Sequence, residues 1–233
     1  MRLSFIAIVA SALLMVCASP LRAQTTDPSG HWTGALEAQG QQFAFEIDIA
    51  KDAGGGFAGA VTIPVQHIKG LPLHVGVEGK SIQFYARRDQ VFRGELSADG
   101  KSITGEFAAE AMTLTYTLTR TGDATVPGPA KSPAVTKALE GVWTGVVEPG
   151  GRSAAVTLTI ANHPDGTATG LLVNDSQGGL QLPVTIVQDA SRVALSVTVL
   201  DGTFTGELSA AGELSGMWKE GEKAIPVTFT RAR

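Results

Sequence analysis

Two short stretches, GHWTG at 30–34 and GVWTG at 141–145, decide the fold of this chain. Two of the three Trp residues of the chain lie in them. A longer stretch, FRGELSADG at 92–100, returns as FTGELSAAG at 204–212. Gly141 follows Gly30 at almost the same distance along the chain as Phe204 follows Phe92. A nearly constant offset across a whole unit indicates a tandem duplication.

The duplication divides the chain into two units, 28–121 and 139–233, joined by residues 122–138. Within the first unit, the residues at even positions from Met112 to Leu118 are apolar, and Thr separates them. Alternation with period two is typical of strands that have one buried and one solvated face. The joining segment contains three Pro residues, so we expect a semi-stiff linker that forms neither a strand nor a helix.

Glycines decide which all-β architecture the strands form. Eight Gly residues share the inward parity of the apolar residues at matching places in the two units: Gly34, Gly59, Gly94, Gly105, Gly145, Gly170, Gly206 and Gly216. Gly within a strand is destabilising unless the backbone must bend or approach another group closely, and small closed barrels need such bends. The sequence therefore predicts two tandem antiparallel up-and-down barrels of about eight strands each. The strands of the first unit begin near His31, Gln41, Gly56, Ile68, Ser81, Gln90, Ser102 and Ala111.

The repeated Trp has a predicted partner. Trp32 begins the first strand of its unit and Arg120 ends the last strand, so the two residues meet when the barrel closes. A guanidinium over an indole face contributes roughly 0.5–2 kcal/mol. This pattern resembles the calycins, which include lipocalins, fatty-acid-binding proteins and avidins. The resemblance implies lipocalin-like barrels and a structural role in barrel closure for Gly30, Trp32, Arg120, Gly141, Trp143 and Arg231.

Both units also resemble the β-rich N-terminal domain of some secreted bacterial α/β-hydrolases. The shared features are G-x-W-x-G, F-x-G-x-L and the final Arg. Those domains carry a D-S-P-x-Q-G-like turn, where this chain has NDSQGG at 174–179 and PVQHIK at 64–69. The candidate ligand or partner loop is therefore Gln66, Asp175, Ser176 and Gln177. Asp, Ser and Gly also form plain turns, so the two interpretations of this loop stay open.

The first residues are typical of a secretory signal peptide, with an apolar run at 3–16 and an expected cleavage after Ala23. Lipid attachment at Cys17 is not expected, because Val16 stands where such sites carry a small residue. Cleavage leaves 16 basic and 22 acidic residues, a formal charge of −6. We expect an exported protein, periplasmic or extracellular, without a transmembrane segment and without nucleic acid as a partner.

The sequence carries no recognised catalytic or metal-binding pattern. The sequence contains no G-x-S-x-G turn, and its four His residues show no metal-ligand spacing. Glu95 and Glu207 have outward parity, and Arg87, Arg88 and Asp89 fit a charged turn. We therefore expect no catalytic residue, no metal and no cofactor.

Three functions stay open, and the interior of the barrels separates the first two. The first is a non-catalytic exported module that binds a small apolar ligand or a partner surface. The second is a structural or accessory protein with filled barrels that acts through its loops beside a secreted hydrolase. The third is an enzyme with an unrecognised site. Eight inward aromatic residues predict a filled first barrel, whereas Ala154, Ala168 and Val197 make the second barrel the one expected to be hollow if either is.

Overall fold

A computed structural model gives the structure of residues 27–38, 40–110, 112–148 and 153–232. The predicted signal peptide with Cys17 lies outside the described residues. Ala111, where the eighth strand was predicted to begin, also lies outside them.

The first unit is a closed barrel of eight antiparallel strands in sequence order. The strands are β1 (Gly30–Ala38), β2 (Gln41–Lys51), β3 (Phe57–Ile63), β4 (Ile68–Glu78), β5 (Ser81–Arg87), β6 (Gln90–Leu96), β7 (Ser102–Ala109) and β8 (Met112–Gly122). β1 pairs with β8, which closes the barrel. The seven predicted strand starts from His31 to Ser102 lie within one residue of those observed.

The second unit repeats this barrel and carries one additional strand. This strand, β9 (Lys131–Pro133), is short, precedes the strands of the ring in the chain and lies outside the ring. The ring consists of β10 (Gly141–Val147), β11 (Ala154–Asn162), β12 (Thr167–Asn174), β13 (Leu180–Asp189), β14 (Arg192–Val197), β15 (Gly202–Leu208), β16 (Glu213–Glu220) and β17 (Lys223–Arg231). β10 pairs with both β11 and β17, and the pairing of β11 with β12 closes the ring. The predicted all-β fold of two eight-stranded barrels is confirmed.

β9 corrects the prediction for the linker. The segment 122–138 was expected to contain no strand, and at Lys131–Pro133 this was wrong, because β9 pairs with the start of β12. The Ser132 hydroxyl is buried and accepts a hydrogen bond from the Ile186 backbone N–H at 2.7 Å. Pro133 fits there because a strand outside the ring tolerates a missing N–H donor. The end of the linker is therefore fixed to the second barrel.

Facing glycines allow the barrels to curl tightly. Gly94 and Gly105 are partners on β6 and β7. A Cβ atom on Gly105 would lie 2.0 Å from the Arg93 carbonyl oxygen and 2.4 Å from the Gly94 Cα. No side chain fits at that separation, so only Gly allows the two strands to approach in this way. Gly206 and Gly216 form the same pair in the second barrel.

Candidate functional site

An apolar cavity of about 510 Å³ opens at one end of the first barrel. Trp32 pairs with Arg120 near the start of β1, whereas Leu36 and Ala38 near the end of β1 line the cavity. The cavity therefore lies at the end of the barrel opposite to the Trp–Arg pair. Its aliphatic wall includes Ile47, Val61, Ile63, Leu71, Leu73 and Leu114.

Stacked rings form the floor of this cavity. The Phe92 ring lies 4.5 Å from Phe107 and 5.4 Å from Phe45, measured between centroids, and all three rings line the cavity. Behind them, the Phe84 ring stacks on Phe92 at 4.8 Å, and Tyr116 meets Phe92 edge-on at 5.4 Å. Because the rings pack on one another, they fill the middle of the barrel and leave the cavity on one side of them.

Tyr116 brings a hydroxyl group to this ring cluster. It is buried and lacks a hydrogen-bond partner within the described part of the chain. Burial raises the pKa of Tyr116 well above its usual value, so the ring stays neutral. Tyr116 does not line the cavity, and it packs behind the rings that do.

The first barrel was predicted to be filled, and the second was expected to be the hollow one if either was. The cavity of the first barrel shows that this was wrong. The interior of the second barrel is packed with buried residues such as Leu158, Leu182 and Phe204. One difference between the two barrels lies at Trp218. A Cβ atom on Gly202 would lie 2.6 Å from its indole ring. At the places that Trp218 and Gly202 hold, the first barrel has Phe107 and Gln90, which both border open space.

Three polar side chains line the cavity: Gln66, Arg87 and Gln90. The Arg87 guanidinium donates to Asp89, with Nη2–Oδ2 at 2.6 Å and Nε–Oδ1 at 3.1 Å. These hydrogen bonds lower the pKa of Asp89 below its usual value. The predicted charged turn therefore lies at the rim of the cavity and presents a paired guanidinium to it.

Two residues of the second barrel complete the lining. They are Leu180, at the start of β13, and Leu200, in the turn between β14 and β15. Sequence reasoning missed both of them. The available signal was the apolar pair Val199–Leu200 in a turn, where polar residues are the rule.

The residues of the predicted ligand or partner loop lie in two separate turns. Gln66 ends the 3-10 turn Pro64–Gln66 and lines the cavity. The matching turn, Asp175–Gln177, bonds to its own barrel, where the Ser176 hydroxyl accepts from the Ala155 N–H at 3.1 Å. Asp175 lies 3.5 Å from the Thr157 hydroxyl, which can donate to its carboxylate. These contacts describe an anchored turn for Asp175 and Ser176.

The residues predicted to close the first barrel lie together at the end opposite to the cavity. The Arg120 Cζ lies 4.5 Å from the Trp32 ring centroid, and Trp32 is fully buried. The Trp32 indole donates to the Pro28 carbonyl at 3.0 Å. Arg120 donates to the carbonyls of Gly100 and Asp27, each at 2.8 Å, and to that of Ser29.

The second barrel repeats this arrangement. The Arg231 Cζ lies 4.7 Å from the Trp143 ring, and the Trp143 indole donates to the Leu139 carbonyl at 2.9 Å. Gly141 has a φ of +129°, and a Cβ atom there would lie 2.7 Å from Arg231 Nη1. Gly30 leaves the same space for Arg120 in the first barrel. The Gly thus makes room for the guanidinium over the indole.

Across the described residues, no three His, Cys, Asp or Glu side chains gather in a group that could hold a metal ion. Within those residues, too, no helix has the length and apolar character needed to cross a membrane. His31 lies on the outer face, with its Nδ1 3.0 Å from Asp48 Oδ1.

Comparisons with known proteins give limited likenesses. No protein-family model and no curated protein matches the chain. One similar solved structure is a provisionally named outer membrane protein of Bacteroides fragilis, with 13% identity, a TM-score of 0.28, and coverage of 89% of this chain and 96% of that one. Another is a protein of unknown function from the DUF3598 family of Nostoc punctiforme, with 12% identity, a TM-score of 0.24, and coverage of 88% and 96%.

Proposed function

We propose that this protein is a non-catalytic binding protein that holds one small apolar molecule in its first barrel. The observation that carries the proposal is the cavity of about 510 Å³, lined almost entirely by aliphatic and aromatic side chains. Sites for small molecules are typically clefts of about 300–1,000 Å³ with mostly apolar walls and a few polar groups. Cavities with mostly apolar walls accept apolar molecules.

The polar side chains at the cavity support binding rather than catalysis. Gln66, Arg87 and Gln90 are the polar lining residues of the described chain. None of these side chains is a ready nucleophile. They can orient a polar end of the ligand at the mouth while the apolar part lies against Phe45, Phe92 and Phe107.

We further propose that the protein acts outside the cytoplasm, on the basis of the apolar start of the chain and its small-residue cleavage site. The accessory role beside a secreted hydrolase has less support. Its candidate turn, Asp175–Gln177, forms hydrogen bonds to its own barrel, and the following Gly178 bonds to the first barrel. A partner protein would have to use other surfaces.

Titration with N-phenyl-1-naphthylamine, a neutral fluorescent probe, tests the binding proposal. We expect a saturable rise in fluorescence with one site per chain. Leu71→Trp places an indole in the cavity and should abolish this rise. Val187→Trp is the matched control, because Val187 lies on the outside of the second barrel with 66% of its surface exposed. Absence of binding by the wild-type protein, or equal binding by Leu71→Trp, would overturn the proposal.

A further inference from the structure

The second barrel covers the mouth of the first. Leu180 and Leu200 belong to the second barrel and line the cavity of the first. Leu180 follows two glycines with positive φ, Gly178 at +64° and Gly179 at +73°. This sharp change of direction carries the chain past the rim of the first barrel and into β13.

A small contact joins the two barrels beside the cavity. The Arg88 backbone N–H donates to the Gly178 carbonyl at 2.9 Å. A Cβ atom on Gly178 would lie 3.0 Å from the Asp89 Cγ, and one on Gly179 would lie 3.4 Å from Arg88 Nη1. β13 also contacts β4 and β5. The docking surface is thus the rim of the cavity itself.

The linker keeps the second barrel close to this rim. On one side, the Thr125 N–H donates to Asp48 of the first barrel at 2.9 Å. On the other side, β9 begins at Lys131 and pairs with the second barrel. The tether between these anchors is residues 126–130, and each residue spans at most about 3.6 Å. The second barrel can therefore tilt from the mouth but cannot move far from it.

We propose that the second barrel is the lid of the ligand site, with Leu180 and Leu200 in contact with the bound molecule. This inference rests on the proposed function. Small contacts between domains permit relative motion, so the lid opens for ligand exchange when the bond between Arg88 and Gly178 breaks. A ligand that contacts both barrels favours the closed arrangement, because it binds that arrangement better than the open one. The size of residue 200 then limits the length of ligand that fits.

A reversible cross-link tests whether the lid must open. The variant combines Asp89→Cys and Gly178→Cys in a chain with Cys17→Ser. A Cβ atom on Gly178 would lie 3.0 Å from the Asp89 Cγ, and a disulfide requires roughly 3.5–4.5 Å between the two Cβ atoms. Once the bound N-phenyl-1-naphthylamine has been loaded, we expect its release to be at least about tenfold slower in the oxidised form than in the reduced form, since most affinity changes appear in the dissociation rate. Equal release rates in the oxidised and reduced forms would overturn the proposal that the second barrel is a lid.

Truncation of the lid side chain gives an independent test in case the cross-link does not form. Leu200→Ala should weaken probe binding by about fivefold to tenfold, because it removes apolar contact with the ligand. The control is Leu208→Ala, on β15 of the second barrel and outside the cavity lining. One set of results separates the two proposals: the wild-type protein binds the probe, Leu71→Trp abolishes binding, and Leu200→Ala leaves binding unchanged. These results would overturn the lid proposal and support the proposed function. Absence of binding by the wild-type protein overturns both.

Discussion

The two barrels have the same frame and different interiors. Both are closed rings of eight antiparallel strands with an Arg over a buried Trp at one end. The first contains a cavity of about 510 Å³, whereas the interior of the second is packed with buried side chains. The residues that close each barrel are therefore different from those that fill its interior. Duplication of the barrel does not imply duplication of the cavity.

The difference teaches that the number of rings does not measure how full a barrel is. The rings of the first barrel stack around Phe92, so they use little of the mouth. The second barrel has fewer rings, but its Trp218 lies against Gly202. Branched aliphatic residues such as Val184 and Ile186 are nearly fully buried in the second barrel. Where the rings lie along the strands matters more than how many there are.

The largest expected effect comes from removal of a closing Trp. Trp32→Ala and Trp143→Ala each truncate a fully buried indole, and Trp-to-Ala changes in a core cost about 3–5 kcal/mol. We expect each substitution to destabilise its own barrel and to leave the other largely intact. Hydrogen exchange read by mass spectrometry resolves the two barrels. The exposed Thr119→Ala serves as the control, and equal loss of protection in both barrels would refute independent closure.

A larger side chain at matching positions of the two barrels should distinguish the hollow interior from the packed one. Leu71 and Leu182 hold matching places in the two units, and their exposed fractions are 6% and 5%. Leu182→Trp forces an indole into a packed interior, which typically costs about 1–3 kcal/mol. Leu71→Trp faces the cavity and should cost less. The check is chemical denaturation of each variant. If Leu71→Trp lowers the free energy of unfolding as much as Leu182→Trp does, the first barrel is not hollow.

Removal of the closing Arg should affect the first barrel more than the second. Arg120 donates to three backbone carbonyls besides covering its Trp, whereas Arg231 donates to those of Lys137 and Ala138 and is more exposed. We expect a loss of about 2 kcal/mol for Arg120→Ala and about 1 kcal/mol for Arg231→Ala. Thermal unfolding measures both. A larger loss for Arg231→Ala would contradict this ranking.

The smallest expected effect is the contribution of Asp27 to the stability of the first barrel at low pH. The hydrogen bond from Lys51, followed by that from Ser29, lowers the pKa of Asp27 from 3.8 to about 2. Because the folded pKa lies below the unfolded one, this carboxylate stabilises the protein above pH 3.8 and loses that contribution as the pH falls to 2. Asp27 is 44% exposed, so solvent reduces the contribution to under about 1 kcal/mol. Asp27→Asn should flatten the acid-induced loss of stability of the first barrel.

Stability of this variant between pH 5 and pH 2, followed by hydrogen exchange in each barrel, provides the check. The second barrel has its own carboxylates with lowered pKa values, Glu140 and Asp165. Its acid response should therefore be the same with and without Asp27→Asn. An unchanged profile of the first barrel would show that Asp27 plays no part in it.

The frame was predictable because it follows from local, repeated signals. Alternation of apolar residues places the strands, and Gly105 with its facing partner shows where they curl. Strand starts such as Gln41, Ile68 and Ser81 were correct to the residue. β9 escaped notice because its pairing depends on the distant Thr167–Thr169 rather than on its own composition.

The site was less predictable because it depends on contacts between units. Gln66 was singled out from the sequence and does line the cavity. Leu180 and Leu200 reach it only through the docking of one barrel on the other, which no periodicity encodes. The prediction of which barrel is hollow was wrong for a similar reason. The stacking of Phe84 on Phe92 is a contact between two strands, and the sequence of either strand alone does not reveal it. Volume depends on such pairings and not on composition.

Native mass spectrometry of the protein purified without denaturation from its own host tests the central claim most directly. We predict an added mass on the order of a few hundred daltons that disappears on denaturation. It should persist in Val187→Trp and be missing from Leu71→Trp. A bare mass in the wild-type protein, or an added mass that Leu71→Trp retains, would contradict a ligand site in the first barrel.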